Sequence, residues 1–326
     1  MTKTMTRRIS CAAIVSAALI GPAAAQFPDR PITIMVPFAA GGPIDTTTRI
    51  LADKMKDTIG QTILVENVGG AAGSIAAGRV AKATPDGYTL MTGIWGTHVA
   101  NGAIYKLSYD VQKDFEPVAL VSSNPLLIVS SKKTPANDLK ELIAWLKASP
   151  GKATQGTSGV GSVGHLAGVF FQQMTGTQFS FAPYRGLAPA MQDLVGGNID
   201  LMFDTPATSL PQVGSGTIRS YAVTAKTRIA AAPEIPTVDE AGLPGLHVST
   251  WTTFFAPKDT PKEIVAKLSA AALAALADPD VQKRLAQVGQ DVYPREQQTP
   301  QALAKLQDEE IKKWWPIIKE AKITDQ

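Results

Sequence analysis

The 326-residue chain is 44% apolar, 18% charged and 6% aromatic, a balance suited to well-buried globular lobes and not to a disordered or low-complexity chain. Its 31 Lys and Arg exceed its 28 Asp and Glu only because three basic and no acidic residues fall in the first 25 positions; the remaining 301 residues are formally neutral. That argues against nucleic acid or a polybasic membrane anchor as a partner, and a single cysteine, Cys11, excludes a disulfide or thiolate metal framework.

At the N-terminus, Lys3, Arg7 and Arg8 precede an apolar run from Ile9 to Ile20 and then Ala23-Ala24-Ala25, the pattern of an export signal cleaved after Ala25. The run is too short to span a bilayer, which takes roughly 20 residues, so a periplasmic protein is expected. Arg8-Ile9-Ser10 before Cys11 is unlike a lipoprotein signal.

A strand from Thr33 to Pro37 then runs into Phe38-Ala39-Ala40-Gly41-Gly42-Pro43 and a helix from Ile44 to Ile59. Unpaired amides at a helix N-terminus, the helix dipole and close-approach glycines suit such a loop to hold an anion. The alternative is an ordinary βα turn with Asp45 capping the helix. Period and punctuation predict strands near 32–37, 62–66, 88–92, 116–122, 126–130, 153–156, 179–183, 199–203, 218–224 and 251–256, with helices at 45–59, 73–83, 138–148, 162–175 and 187–195. This is the alternation of an α/β protein, and 301 residues exceed one core, so two lobes are expected.

Gly93 to Thr97 and His98 end the third of these strands, with Asn101 beyond; in open α/β sheets ligands sit at that edge. Trp95 either packs in the core or offers a flat face to a ligand. Gly159-Val160-Gly161-Ser162-Val163-Gly164 matches a dinucleotide fingerprint but lacks its acidic residue roughly 20 positions on, so the segment reads as a second anion cradle with Ser158 and Ser162 as added donors. His165 is a ligand contact or a partly buried helix residue. Neither Ser158 nor Ser162 sits in a complete GxSxG, and His98, His165 and His247 lack metal-ligand spacing. Neither catalysis, cofactor nor metal is expected. Asp204-Thr205 occupies the equivalent strand edge later in the chain, where Asp204 either accepts from a ligand or caps the next helix.

After Pro257 the pattern turns helical: Thr260-Pro261-Lys262-Glu263 reads as a capping box, Asp278-Pro279 opens a helix ended by Gly289, and Thr299-Pro300 opens another. Trp314-Trp315 is read as locking that last helix onto its lobe, with an interaction patch as the alternative.

In order along the chain, Phe27-Pro28-Asp29-Arg30-Pro31, Val36-Pro37-Phe38 with Gly41-Gly42 and Asp45, Val65-Glu66-Asn67 with Gly69-Gly70-Ala71-Ala72-Gly73, Pro85-Asp86-Gly87-Tyr88-Thr89-Leu90, Gly161-Ser162 with His165-Leu166, Pro183-Tyr184-Arg185-Gly186, Gly197 with Asp200, and Ile235-Pro236-Thr237 with Glu240 and Gly242 resemble the Bug receptors of the tripartite tricarboxylate transporter family. The resemblance covers essentially the whole chain after the leader. It implies a two-lobed periplasmic binding protein of type 2-like fold, each lobe a mixed sheet flanked by helices, with residues 26–122 and 223–326 in one lobe and 123–222 in the other. It implies a monomer that closes on a small carboxylate for delivery to transporter membrane subunits, with a sensor kinase as the alternative partner. The implied ligand contacts are Phe38, Ala39, Ala40, Gly41, Thr97 and His98 from the first lobe and Ser158, Gly159, Ser162, Tyr184, Asp204 and Thr205 from the second, beside the candidates Trp95 and His165. Trp95 and the pair Pro43-Ile44 depart from what short aliphatic ligands would favour, which leans towards an aromatic or longer carboxylate. A periplasmic hydrolase using Ser162, His165 and Asp204 is the rival from another class.

Overall fold

Alternation in Ile32-Thr33-Ile34-Met35-Val36 buries Ile32, Ile34 and Val36 completely, as a strand with period two requires. The computed structural model describes residues 27–38, 40–184 and 186–324; the segment read as an export signal, Ala39 and Arg185 lie outside them. In chain order the elements are β1 (Ile32–Val36), α1 (Pro43–Ile59), β2 (Ile63–Asn67), α2 (Ser74–Ala81), β3 (Thr89–Ile94), α3 (Asn101–Ile104), β4 (Phe115–Pro125), β5 (Leu127–Ser131), α4 (Leu139–Ala148), β6 (Thr154–Thr157) and α5 (Val163–Thr175). Then follow β7 (Ser180–Pro183), α6 (Leu187–Gly196), β8 (Leu201–Asp204), α7 (Pro206–Gly214), β9 (Ile218–Val223), β10 (Ser249–Pro257), α8 (Lys262–Ala277), α9 (Pro279–Gln287), β11 (Asp291–Val292) and α10 (Pro300–Glu320).

Two mixed sheets result. One is ordered β11-β4-β10-β3-β1-β2 and the other β7-β6-β8-β5-β9. β1 pairs parallel with β2 and β3, and β10 runs antiparallel between β3 and β4. In the second sheet β6 pairs parallel with β7 and β8, whereas β5 runs antiparallel between β8 and β9. The chain passes from the first sheet to the second at Leu126 and returns between Val223 and Ser249. The crossings are tied at Thr224, whose buried hydroxyl accepts from the Leu126 amide at 2.8 Å and donates to the Val248 carbonyl at 2.5 Å.

The ten expected strands form. The two-residue β11 was not anticipated, nor were α7, which accommodates Pro206 in its first turn and Pro211 inside it, and the π-helical turn Gly96–Ala100 that continues into α3. Glycines and β-branched residues give 96–104 little intrinsic helicity, so its helical form is a tertiary effect. Local capping works at Asp278, which accepts from Asp280 and Val281, and at Thr299, which accepts from Ala302. It fails at Thr260. That hydroxyl donates back to the Pro257 carbonyl at 2.7 Å, and α8 starts at Lys262 without a side-chain cap.

Candidate functional site

The loops that follow β1, β3 and β6 converge on one cavity of about 320 Å³. Phe38, Ile94, Trp95, Asn101, Tyr105 and Thr250 line it from the elements of the first sheet; Ser158 to Val163 line it from the second. Its wall is chiefly apolar, with serine, threonine and Tyr105 hydroxyls, the Asn101 amide and main chain as the polar groups.

The two glycine loops behave differently. In the first, the Gly41 amide donates to Asp45 Oδ2 at 2.8 Å, and the same carboxylate, almost fully buried, accepts from Arg49 Nε at 3.0 Å and Asn67 Nδ2 at 3.0 Å. Burial raises the Asp45 pKa, but the hydrogen bonds from Arg49, Gly41 and Asn67 outweigh it and hold the carboxyl below its ordinary range. Asp45 therefore does not cap α1, whose N-cap is Gly42, and the anion held at Gly41 is the chain's own side chain. The Gly41 amide, an expected ligand contact, is thus bonded within the chain, and Gly41 and Ala40 do not line the cavity, whereas Phe38 does.

The second loop is open towards the cavity. Gly159 and Gly161 adopt φ of +130° and +76°, conformations that favour glycine, and lead to Ser162, the N-cap of α5, whose hydroxyl accepts from the His165 amide at 3.3 Å. Among the described residues the amides of Val163 and Gly164, in the first turn of α5, have no acceptor. This is the usual state of first-turn amides, and with the helix dipole it favours an anion there. Gly164 also packs so closely that a Cβ would lie 2.6 Å from the Phe203 carbonyl oxygen.

Several predicted contacts are placed elsewhere. His98 is fully buried, stacked on Phe255 at 4.1 Å with Nδ1 against the Thr97 hydroxyl at 2.8 Å, and burial pushes its pKa down to about 3. Thr97, also fully buried, bonds the Ile94 main chain. His165 borders the second loop through Nδ1, which accepts the Gly161 amide at 3.0 Å, so the neutral ring carries its proton on Nε2, and burial lowers its pKa. Tyr184 donates to Asp193 at 2.6 Å; burial first and then that carboxylate push its pKa up to about 12. Asp204 is fully buried and accepts from Thr208 and Ser209, each at 2.6 Å; burial raises its pKa. Thr205 serves as N-cap position of α7, its hydroxyl 2.9 Å from that of Thr208. None of these six lines the cavity.

Of the predicted residues, Phe38, Trp95, Ser158, Gly159 and Ser162 meet at the cavity. Trp95 is only 1% exposed, so it forms wall and not a projecting face. Sequence reasoning missed Ala72, Tyr105, Val160 and Thr250 as lining residues. The Gly69 to Gly73 run signalled Ala72 in part, and Asn101 holds that turn by donating to the Ala72 carbonyl at 3.0 Å. Thr250 arrives on β10, a strand that was expected but whose return to the cavity has no local signal.

A family model described as the tripartite tricarboxylate transporter family receptor matches residues 47–323. An Agrobacterium vitis protein, "UPF0065 protein in the TAR-I ttuE-ttuC' intergenic region", is 41% identical over 313 residues, 95% of this chain and 90% of its own. Among solved structures, MatC from Rhodopseudomonas palustris with bound malate is 41% identical at a TM-score of 0.76, covering 90% of this chain and 100% of that one. Rpa4515 of R. palustris with adipate is 34% identical at a TM-score of 0.78, covering 91% of this chain and 98% of that one. By sequence and by fold alike, the chain belongs to the tripartite tricarboxylate transporter receptor family of solute-binding proteins.

Proposed function

We propose that this receptor captures a small carboxylate with a largely apolar body, a dicarboxylate or an aromatic acid, in the cavity between its two lobes, in the periplasm, and delivers it to the membrane subunits of a tripartite transporter. The observation that carries this reading is the α5 N-terminus, where Ser162 and Val163, the latter with an amide that has no acceptor among the described residues, line a cavity otherwise walled chiefly by Phe38, Ile94, Trp95 and Tyr105. Malate in one relative and adipate in another agree with a carboxylate of a few carbons. The leader at residues 1–25 supports export, and among the described residues no helix is long and apolar enough to cross a membrane.

A ligand that touches Phe38 and Trp95 on one side and Ser158 to Val163 on the other binds the closed arrangement better and shifts the population towards it. The lobes that move are residues 26–122 with 223–326, and 123–222. A hydrolase is disfavoured by the tautomer of His165. With Nδ1 accepting from Gly161 and the proton on Nε2, the ring has no free lone pair to take a proton from Ser162.

A thermal-shift and titration panel of malate, succinate, adipate and benzoate on the mature protein tests the reading, since ligand binding to the folded state raises the melting temperature. A saturable shift with at least one acid, and loss of its uptake in a strain lacking the receptor, is the expected result. No shift with any carboxylate overturns it, and binding without any effect on uptake favours the sensor role.

A further inference from the structure

The cavity wall is anchored from a part of the chain that no cavity residue touches in sequence. Trp95 Nε1–H donates to Glu310 Oε2 at 2.8 Å, across 215 positions, and Trp314 Nε1–H donates to the same oxygen at 2.9 Å. The two indoles meet edge to face at 5.3 Å and 80°. Both rings are 1% exposed, so this carboxylate sits among aromatic groups on α10, with Lys313 beside it. Burial raises the Glu310 pKa, opposed by Lys313 and by the two indole donors. Glu310 is itself half-buried, and even partial burial of a carboxylate is costly, so an apolar residue would fill such a place more cheaply unless the bonds it makes fix a geometry that matters. What they fix is Trp95, the largest side chain of the cavity wall.

We propose that Glu310 is a positioning residue that sets ligand length: by holding the Trp95 indole it fixes the size and shape of the cavity, and so decides which members of a carboxylate series fit. The inference rests on the cavity's being the ligand site. Trp95 wedged against Trp314 cannot yield to a longer ligand while both N–H groups are held. With the acceptor gone, two buried donors lose their partner and the ring is free to seek another position. Glu310→Gln keeps an acceptor oxygen at the same place and preserves the geometry; Glu310→Ala does not.

The test is titration of a homologous series of dicarboxylates, from succinate to suberate, and of benzoate, with the wild-type protein and with the Glu310→Gln, Glu310→Ala and Trp95→Phe variants. The expected result is that Glu310→Ala and Trp95→Phe change the ratio of affinities between the shortest and longest acids by about tenfold, in the same direction, while Glu310→Gln keeps the wild-type order. That ratio is insensitive to a uniform loss of folded protein or of affinity. An unchanged rank order in folded Glu310→Ala overturns the proposal, whatever Trp95→Phe does. If Glu310→Ala fails to fold, Glu310→Met, which fills the space without an acceptor oxygen, takes its place with the same two outcomes. Failure of wild-type protein to bind any acid of the series counts against the ligand site itself and is distinguished by that.

Discussion

Replacing Thr224 by valine removes one hydroxyl from the point where the chain crosses between the sheets. That hydroxyl accepts from the Leu126 amide at 2.8 Å and donates to the Val248 carbonyl at 2.5 Å, in a site 1% exposed. Valine matches its shape but leaves one donor and one acceptor without those partners and beyond the reach of water. A buried polar group deprived of its bond costs about 1–3 kcal/mol, so the pair predicts a loss of about 3 kcal/mol. With a urea m-value of roughly 3 kcal/mol/M the midpoint falls by about 1 M at unchanged m. Thr224→Ser keeps the hydroxyl and loses a methyl, a change of about 0.8 kcal/mol. Urea melts of the three proteins at neutral pH decide the matter. A loss below about 0.5 kcal/mol for Thr224→Val, or equal losses for both variants, would refute the assignment of this hydroxyl as the tie between the crossings.

His98 supplies a pH dependence. Its folded pKa of about 3 lies below the unfolded value of about 6.5. Between these values the unfolded chain takes up a proton that the folded chain refuses, so its contribution to stability is present above about 6.5 and is lost as pH falls; the loss at pH 5 is about 2 kcal/mol. His98→Phe removes that slope, seen as a smaller difference between urea melts at pH 7 and pH 5; an unchanged difference would sink the assignment. Ser162→Ala removes the α5 cap and costs about 1 kcal/mol in stability, together with a several-fold loss in titrated affinity. Gly164→Ala drives a Cβ to within 2.6 Å of the Phe203 carbonyl unless α5 moves away, so carboxylate affinity is expected to fall about tenfold by calorimetry while the chain stays folded; wild-type affinity would exclude α5 as the anion site.

What was legible in the chain was mostly what a short window decides. Alternation placed β1, and side-chain chemistry alone placed the caps at Asp278 and Thr299, because donor and acceptor lie within three residues. Thr260 carried the same signature and failed, since the Pro257 carbonyl at the end of β10 was the nearer partner. The Gly159 to Gly164 loop was legible for the same local reason. The Asp45 carboxylate was visible as a residue, but its contact with Gly41 depends on how the loop closes over Arg49 and Asn67. Glu310 was invisible. Nothing near it in sequence marks a partner 215 residues away.

His98, Tyr184 and Asp204, polar residues at strand edges, share a pattern that keeps them out of the cavity lining. Each is held by groups of its own lobe: Thr97 and Phe255 for His98, Asp193 for Tyr184, Thr208 and Ser209 for Asp204. A buried polar side chain finds partners as the lobe folds, because an unmet donor or acceptor costs more than its bond contributes; Tyr184 is bonded in this way, whereas His98 and Asp204 are bonded through Nδ1 and Oδ2 alone, with His98 Nε2 and Asp204 Oδ1 buried and without a partner among the described residues. Helix amides in a first turn escape this rule, since their helical geometry denies them internal acceptors. On the proposed function, recognition of charge falls to main chain that any carboxylate satisfies alike, and discrimination between carboxylates falls to the shape of the apolar wall. A wall that discriminates by shape has to be rigid, which is why the carboxylate on α10 that grips Trp95 bears on the choice of ligand although it lies outside the cavity lining.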